Sequence, residues 1–537
     1  MSLLRHGRPR PAPDPSPWYR CLLAGLGGGV LVALSLPPFG WWPLAWLGLA
    51  VVAARLPGRG WRRRTLLGTG FGLGAYLPGL FWVHEFSIPG YVAVVIVSTL
   101  YAVAAIVATP TARRRYIALA LPCAFVVSDW ARDRFPLGGL PLGGLNLGQA
   151  AGPLRPVLRL GGGLALTGTT VLAGVAVAAL AGLIRRGWNH RSVSASAAAV
   201  TAGVVAATVA LPVVGALSPS GAGGHLPPMR IALVQGGGPR GTRAINTDPQ
   251  VVFDRHLAAA AALRDPLDLV VWPEGVLQSH GNFADTADAA DISRLARDLH
   301  TTMLVGVEQD VGPTRYLNEV VAWGPHGTIR GRYVKNHLVP FGEYVPDRAL
   351  VSKLFNVADV PRDAIAGHGP GFLRTPAGPL AVMISYEVFF DERARGGVRA
   401  GGQVLVVPTN TASYRSTQVP TQEVAADRMR AVETGRWLIQ VTPTGFATVV
   451  TPDGTVVRRS RLSARAVITA TVGRRTGMTV YDHLGDATVV IVAGAGEAAV
   501  LAAALRRRRR RGRPTPDRTG DPVRSRPLSG TLGPPTA

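Results

Sequence analysis

Lysine is almost absent from this 537-residue chain. Of 57 basic residues only two, Lys335 and Lys353, are lysines, and the rest are arginines. An ammonium is compact and can give up a proton, whereas a guanidinium stays planar and charged. A lysine kept against such a background is a candidate for chemistry, although Lys335 alone reads equally well as a surface residue in a loop. Cysteine is just as scarce: Cys21 and Cys123 both sit in apolar runs. That excludes a cysteine-rich metal site and argues against a disulfide framework. Charged residues make up only 17% of the chain against 47% hydrophobic. That balance, with a positive mean hydropathy, is a diluted membrane-protein composition, so a soluble part is expected too, and a chain of this length exceeds one compact domain. The net charge of +25 raises the question of nucleic acid, but the arginines cluster between apolar runs. That placement is an orientation signal for membrane helices, and no nucleic-acid partner is expected. No internal repeat is found.

What is present begins with apolar runs. A helix needs about 20 apolar residues to cross a bilayer. Seven candidate spans precede residue 220, at about 19–36, 41–56, 65–84, 90–110, 116–130, 160–184 and 195–217, the second and fifth being short. Glycines within them, as at 27–29 and 161–163, let helices approach closely. Charge alternates between the runs. Arg5, Arg8, Arg10 and Arg20 precede the first, and the turn at 37–40 has none. Arg59 and Arg62 to Arg64 follow the second, and His84 and Glu85 the third. Arg113 to Arg115 come next, then a mixed connection at 131–159, then Arg185, Arg186 and Arg191. The positive-inside rule puts the N-terminus in the cytoplasm and residue 220 outside. The first run resembles a signal-peptide core, but Leu36-Pro37-Pro38 is not a small-residue cleavage site, so it is read as retained. An eighth run, 488–505, returns the chain to the cytoplasm. Glu497 within it is costly in lipid and is expected to face other helices. The Arg- and Pro-rich tail, 506–537, is expected to be disordered and to orient the last span.

Composition changes at Ser218-Pro219-Ser220-Gly221, a linker. Beyond it, short apolar runs at 231–236, 267–275, 302–310, 320–327, 380–387 and 404–410 alternate with helical patterns at 249–264, 287–299 and 420–436. Buried strands separated by helices predict an α/β layered domain over 225–485. Polar residues at strand carboxyl ends are where such sheets place chemistry. Three runs end so: Trp272-Pro273-Glu274, the run into Lys335, and Ser385-Tyr386-Glu387. A carboxylate, an amine and a hydroxyl are the makings of a base, an oxyanion stabiliser and a nucleophile. Singly, Glu274 also reads as a helix N-terminal charge and Ser385 as a turn hydroxyl.

The order Trp-Pro-Glu at 272–274, then Lys335 with HLVPFGEYVP at 337–346, then Tyr386-Glu387 after a strand resembles the nitrilase superfamily. With the membrane runs, the string is similar to one branch of it, the apolipoprotein N-acyltransferases. The similarity continues through Leu233 to Gly236, Arg428 to Glu433, and Thr442 to Gly445. The resemblance implies a multi-span α-helical membrane domain (1–224, about seven helices), an extracytoplasmic αββα nitrilase-like domain (225–485), a last transmembrane helix (486–505) and a cytoplasmic tail (506–537). It implies a Glu-Lys-Cys triad, which falls on Glu274 as proton acceptor, Lys335 as oxyanion stabiliser and Ser385 at the nucleophile position, with Glu343, Tyr386 and Glu387 in support. Two positions depart from the pattern. Ser385 stands where the family has cysteine, and its Asn-Asp-Ala-Trp-Phe-Gly segment reads Asn410-Thr411-Ala412-Ser413-Tyr414-Arg415 here.

The activity so implied is ping-pong transfer of an acyl chain from a phospholipid to the α-amine of a diacylglyceryl apolipoprotein, the last step of lipoprotein maturation, in the cytoplasmic membrane. Neither metal nor cofactor is implied. Two rival readings are a catalytically impaired paralogue that binds lipoproteins or lipids, and a membrane-tethered amidase. Apolar residues around 341–372, among them Leu354, Phe355 and Val357, favour lipid over small amide substrates. The charge alternation yields a direct test. A periplasm-dependent reporter is expected to be active when fused near residue 222 and silent near residue 188; the reverse pattern overturns the orientation.

Overall fold

The structure is a computed structural model describing residues 17–512 apart from 191, 265 and 355–359. Arg5, Arg8, Arg10, Arg191, Phe355, Val357 and the tail from 513 lie outside the described residues. The first part is a helical bundle of α1 (Tyr19–Ser35), α2 (Pro43–Arg55), α3 (Trp61–Gly79), α4 (Ile88–Ala108), α5 (Arg114–Arg132), α6 (Leu158–Trp188) and α7 (Ala195–Leu217). Each expected run is a helix. Two of these seven, α4 and α7, are long and apolar enough to cross a membrane, as are the stretches Arg155–Trp188 and Val480–Arg507, whereas α1 and α2 are apolar but shorter. The bundle closes by backbone contact. A Cβ built on Gly25 or Gly29 of α1 would overlap carbonyl oxygens of Leu67 and Phe71 on α3, and one on Gly70 would overlap Leu22 O. Small residues at such a crossing replace side-chain interdigitation by direct helix contact.

The second part is built from strands whose apolar runs are buried on both faces. One sheet has the order β14-β1-β2-β4-β5-β6, with β3 beside β4 and β7 beside β5. Its strands are β1 (Met229–Gln235), β2 (Leu269–Val271), β3 (Leu277–Ser279), β4 (Thr302–Asp310), β5 (Arg315–Trp323), β6 (Ile329–Val334), β7 (Asp363–Ala364) and β14 (Ala466–Val472). The other runs β13-β12-β11-β10-β9-β8. It contains β8 (Phe372–Thr375), β9 (Gly378–Val382), β10 (Val404–Pro408), β11 (Leu438–Val441), β12 (Thr448–Val450) and β13 (Val456–Arg459). Ile231, Leu233, Val271 and Leu304 of the first sheet share one fully buried cluster with Val382, Val406, Ile439 and Val441 of the second. The sheets therefore pack face to face.

Helices α8 (Thr242–Ile245), α9 (Pro249–Ala260), α10 (Ala287–Asp298), α11 (Arg348–Leu354), α12 (Asp391–Arg399) and α13 (Gln418–Thr434) complete this part. Phe253 of α9 and Ile292 of α10 cover the first sheet. Ala394 of α12 and Ala426 and Met429 of α13 cover the second, in the same cluster as Leu158 and Leu166 of α6. The expected αββα sandwich is present, and its α13 layer lies against the bundle. The last helix, α14 (Val480–Gly512), begins eight residues before the expected apolar run and kinks at Gly485 (φ 63°).

The α1–α3 contact gives a stability test. Gly29→Val is expected to lower stability by about 1–3 kcal/mol, the usual range for overpacking, read as a lower thermal unfolding midpoint in detergent. Gly27→Val, where a new Cβ meets nothing within 4 Å, is the control; equal losses from both would mean the crossing does not matter.

Candidate active site

Strands β2, β4 and β6 run in one direction and bring their carboxyl ends together. β2 leads into Trp272, fully buried with its ring edge-on to Phe253 at 5.7 Å. That anchor and Pro273 hold the turn that presents Glu274, which is only 6% exposed. No helix starts there, so Glu274 is not a helix N-terminal charge. Lys335 follows β6 directly and its backbone N–H donates to Asn318 O on β5 at 2.8 Å. At 1% exposure it is not a surface lysine.

Its Nζ donates to Glu274 Oε1 at 2.9 Å and to Glu343 Oε1 at 2.8 Å. Asn318 Nδ2 donates to the same two oxygens at 2.8 and 2.7 Å. Val339 N–H holds the other oxygen of Glu343 at 2.7 Å. Glu274 Oε2 has no hydrogen bond among the described residues and is left for a ligand. Burial raises the Glu274 carboxyl above the ordinary range, Lys335 opposes the rise, and the Glu343 charge adds to it. Burial would lower the Lys335 ammonium, but Glu274 and Glu343 outweigh it and hold it above its ordinary value. Lys335 is therefore a fixed cation, and Glu274 is the group poised to exchange a proton.

Ser385 follows β9 in a tight turn and adopts φ 50°, a left-handed conformation that a non-glycine residue holds only where its surroundings impose it. Glu387 supplies that constraint. Fully buried, it accepts from Ile384 N–H at 2.8 Å and from the N–H groups of Asn336 and His337 at 2.8 and 3.1 Å. Tyr333 OH lies 2.9 Å from both its oxygens. Glu387 thus ties the Ser385 turn to the loop bearing Lys335. Tyr386 turns away from these charges: its hydroxyl donates to Gly139 O at 3.2 Å, in the connection between α5 and α6. Of the six expected residues, Lys335 bonds to both Glu274 and Glu343, Glu387 clamps, Ser385 stands on the clamped turn, and Tyr386 bridges to the bundle.

Other residues of the site did not emerge from sequence reasoning. Asn318 lies in mid-strand and had no chemical signal. Glu308, on β4 within the run 302–310, is pushed up to about 7 by burial and by the charges of Glu274 and Glu343. Thr409, at the end of β10, places Oγ1 3.1 Å from Ser385 Oγ and 2.8 Å from Glu423 Oε1 of α13. Burial pushes Glu423 up to about 8, with Glu274 adding and Lys335 opposing, so all three share one electrostatic site. The divergent segment after Thr409 docks on the bundle. Tyr414 packs edge-on against Trp82 at 5.2 Å. Arg415 and Ser416 N–H donate to Glu85, and Gln418 Nε2 donates to Pro78 O at 2.8 Å. Beside it an open groove of about 520 Å³ is lined by Phe39, Leu77, Pro78, Phe81, Tyr91 and Gln418 among others. Among the described residues no cluster of three or more His, Cys, Asp or Glu side chains is disposed to hold a metal ion.

Residues 230–479 match the family model of carbon-nitrogen hydrolases, and residues 28–176 that of the apolipoprotein N-acyltransferase N-terminal domain. The chain is 30% identical to an apolipoprotein N-acyltransferase of Mycolicibacterium smegmatis, over 88% of its own length and 84% of the relative's. It is 31% identical to one of Azotobacter vinelandii, over 86% and 91%. Among solved structures, an amidase from Nesterenkonia sp. is 22% identical over 51% of this chain and 97% of its own, with a TM-score of 0.36.

Removing the cation strands two buried carboxylates. Lys335→Ala is expected to destabilise the protein by about 3–5 kcal/mol at neutral pH. A buried carboxylate deprived of its cation favours the protonated form, so acid favours the folded variant. The penalty should therefore shrink as pH falls toward about 5. Thermal unfolding of both proteins across pH checks this; a pH-independent difference, or none, contradicts the buried triad.

Proposed function

Because the chain belongs to the apolipoprotein N-acyltransferase family, we propose that Ser385, Lys335 and Glu274 perform its acyl transfer, with a phospholipid as donor. The protein is a membrane-associated acyltransferase of the carbon-nitrogen hydrolase superfamily, and its substrate is lipoprotein. On this reading Ser385 Oγ attacks the acyl carbonyl of the phospholipid and forms a serine ester, its hydroxyl proton passing to the oxygen of the departing lyso-lipid. Lys335, a fixed cation, stabilises the oxyanion of each tetrahedral intermediate. Glu274, through its free Oε2, takes the proton of the attacking α-amine of the diacylglyceryl cysteine. The observation that carries the reading is the buried Lys335 between Glu274 and Glu343, at strand ends clamped to the Ser385 turn.

Both substrates are anchored in lipid, so the site must open at a membrane surface. The docking of 414–418 on Trp82, Glu85 and Pro78 supports this, because ends of membrane helices then form part of the site's wall. The apolar groove there suits acyl chains. On the same proposal the layered domain, 225–485, lies outside the cytoplasmic membrane, flanked by a membrane domain to 224 and a final span at 486–505, with both ends of the chain inside. A tethered amidase has no need of the matched membrane part, and that reading is not favoured.

The test is peptide mass after incubating purified protein with phospholipid and a diacylglyceryl peptide in detergent. Ser385→Ala is expected to abolish N-acylation. Ser385→Cys is expected to raise it, because a thiol ionises near pH 8.5, within reach of a modest base, and a thioester is the better acyl donor to an amine. Full activity in Ser385→Ala would place the nucleophile elsewhere. Inert wild type and inert Ser385→Cys would favour a lipoprotein-binding paralogue.

A further inference from the structure

A serine in this position needs help that a cysteine does not. An aliphatic hydroxyl is far harder to ionise than a thiol and works as a nucleophile only with a well-placed base. Glu274 has one oxygen held by Lys335 and Asn318, and among the described residues no hydrogen bond joins it to Ser385. The group that does reach Ser385 is the Thr409 hydroxyl, at 3.1 Å, and behind it lies Glu423 at 2.8 Å. Thr409 is fully buried and Glu423 is 3% exposed. A hydroxyl has one proton to give. In the structure the Thr409 hydroxyl is placed to donate to either Ser385 Oγ or Glu423 Oε1. When Glu423 is ionised that proton goes to the carboxylate, the stronger acceptor, and a Thr409 lone pair is freed to accept from Ser385 once the serine hydroxyl rotates toward it. The hydrogen bonds then run one way, from Ser385 through Thr409 to Glu423.

We propose that Glu423, acting through the Thr409 hydroxyl, is the positioning and proton-accepting partner that makes Ser385 a nucleophile in this chain. The inference rests on the assignment of Ser385 above and deepens it. As the Oγ–acyl bond forms, the Ser385 proton passes to Thr409 Oγ1 while the Thr409 proton passes to Glu423. As the ester C–O bond to the lyso-lipid breaks, Thr409 returns a proton to the leaving alkoxide and regains one from Glu423. The carboxylate ends the half-reaction as it began. In deacylation the amine proton taken by Glu274 is given up to solvent, and Glu423 takes one proton from solvent. The relay passes it through Thr409 to Ser385 Oγ as the amine displaces it, so that Glu274 and Glu423 both end ionised.

Four groups face Glu423: Glu274, Lys335, Tyr414 and, one turn on along α13, Asp427. Burial leads and puts the Glu423 carboxyl at about 8, with the Thr409 hydrogen bond and Lys335 opposing the rise and Glu274 adding to it. The base form is therefore gained as pH rises, and so is the acylation rate.

The test measures acyl-enzyme formation by intact mass, with phospholipid and no acceptor amine. In the protein as it exists, Glu423→Gln and Thr409→Val are each expected to slow acylation by roughly a hundredfold or more, the usual worth of a general base. Thr409→Ser, which keeps the hydroxyl, is expected to stay within about tenfold of the parent. In a Ser385→Cys background the loss from Glu423→Gln should be at least about tenfold smaller, since a thiol needs less of this base. The rise in rate through about pH 8 should vanish in Glu423→Gln. Equal losses in both backgrounds, a Thr409→Ser variant as slow as Thr409→Val, or no loss at all would each overturn the relay. If the wild type forms no acyl-enzyme and Ser385→Cys does, the relay falls and the site assignment stands. If neither does, both fall.

Discussion

One ammonium, enclosed and shared by two carboxylates, sets the conditions for the rest of the site. Lys335 cannot be buried without Glu274 and Glu343, and they cannot be buried without it. Charges taken out of water are tolerable only when such geometry satisfies them. Asn318 completes the arrangement by donating to the same two oxygens, and the Val339 N–H fixes the remaining oxygen of Glu343. The consequence is a rigid cation with one carboxylate oxygen left over. A guanidinium, with its planar fork of five donors, does not fit the same two single-oxygen contacts. This accounts for a lysine surviving in a chain that otherwise writes positive charge as arginine.

The second constraint is the turn at Ser385. Its left-handed backbone is held by Glu387, which also binds the loop after Lys335. The proposed nucleophile and oxyanion stabiliser, Ser385 and Lys335, are thus referenced to one buried carboxylate. Catalytic groups lose rate steeply when misplaced by an ångström, so a structural carboxylate in this position matters as much as a reacting one. Serine in place of cysteine then changes the demand on the surroundings rather than the frame, and a buried hydroxyl and carboxylate lie on the side where that demand falls.

Much of this was legible in the sequence. Apolar runs with arginines between them gave the helices α1 to α7 to within about five residues, because hydropathy and length are strong signals, but missed the first eight residues of α14. The strand-end residues Glu274, Lys335 and Ser385 stood out because a polar residue ending a buried strand is conspicuous. Continuous apolar runs pointed to an α/β layered domain, and the family resemblance implied its αββα layering. Strands β11 to β14 were not separated, since Leu438–Val441 follows directly on the helical run and carries no alternation. Glu423 and Thr409 were invisible for another reason: each looks ordinary in its own element, and only the packing of α13 against the end of β10 joins them. Asn318 and Glu308 are likewise products of strand register.

The packing of α13 against α6 has a consequence for how the chain is made. Met429 and Ala426 complete the cluster around Leu158 and Leu166, and Gln418 and Gln422 satisfy carbonyls at the end of α3. The bundle is translated long before these residues exist. Until they arrive, its upper rim keeps polar backbone groups and an apolar patch open to water. The helices precede it in the chain, but their final packing is delivered by a segment of the layered domain. Cutting the chain at the linker near 220 would therefore not yield two finished halves; it would leave each with the other's missing wall.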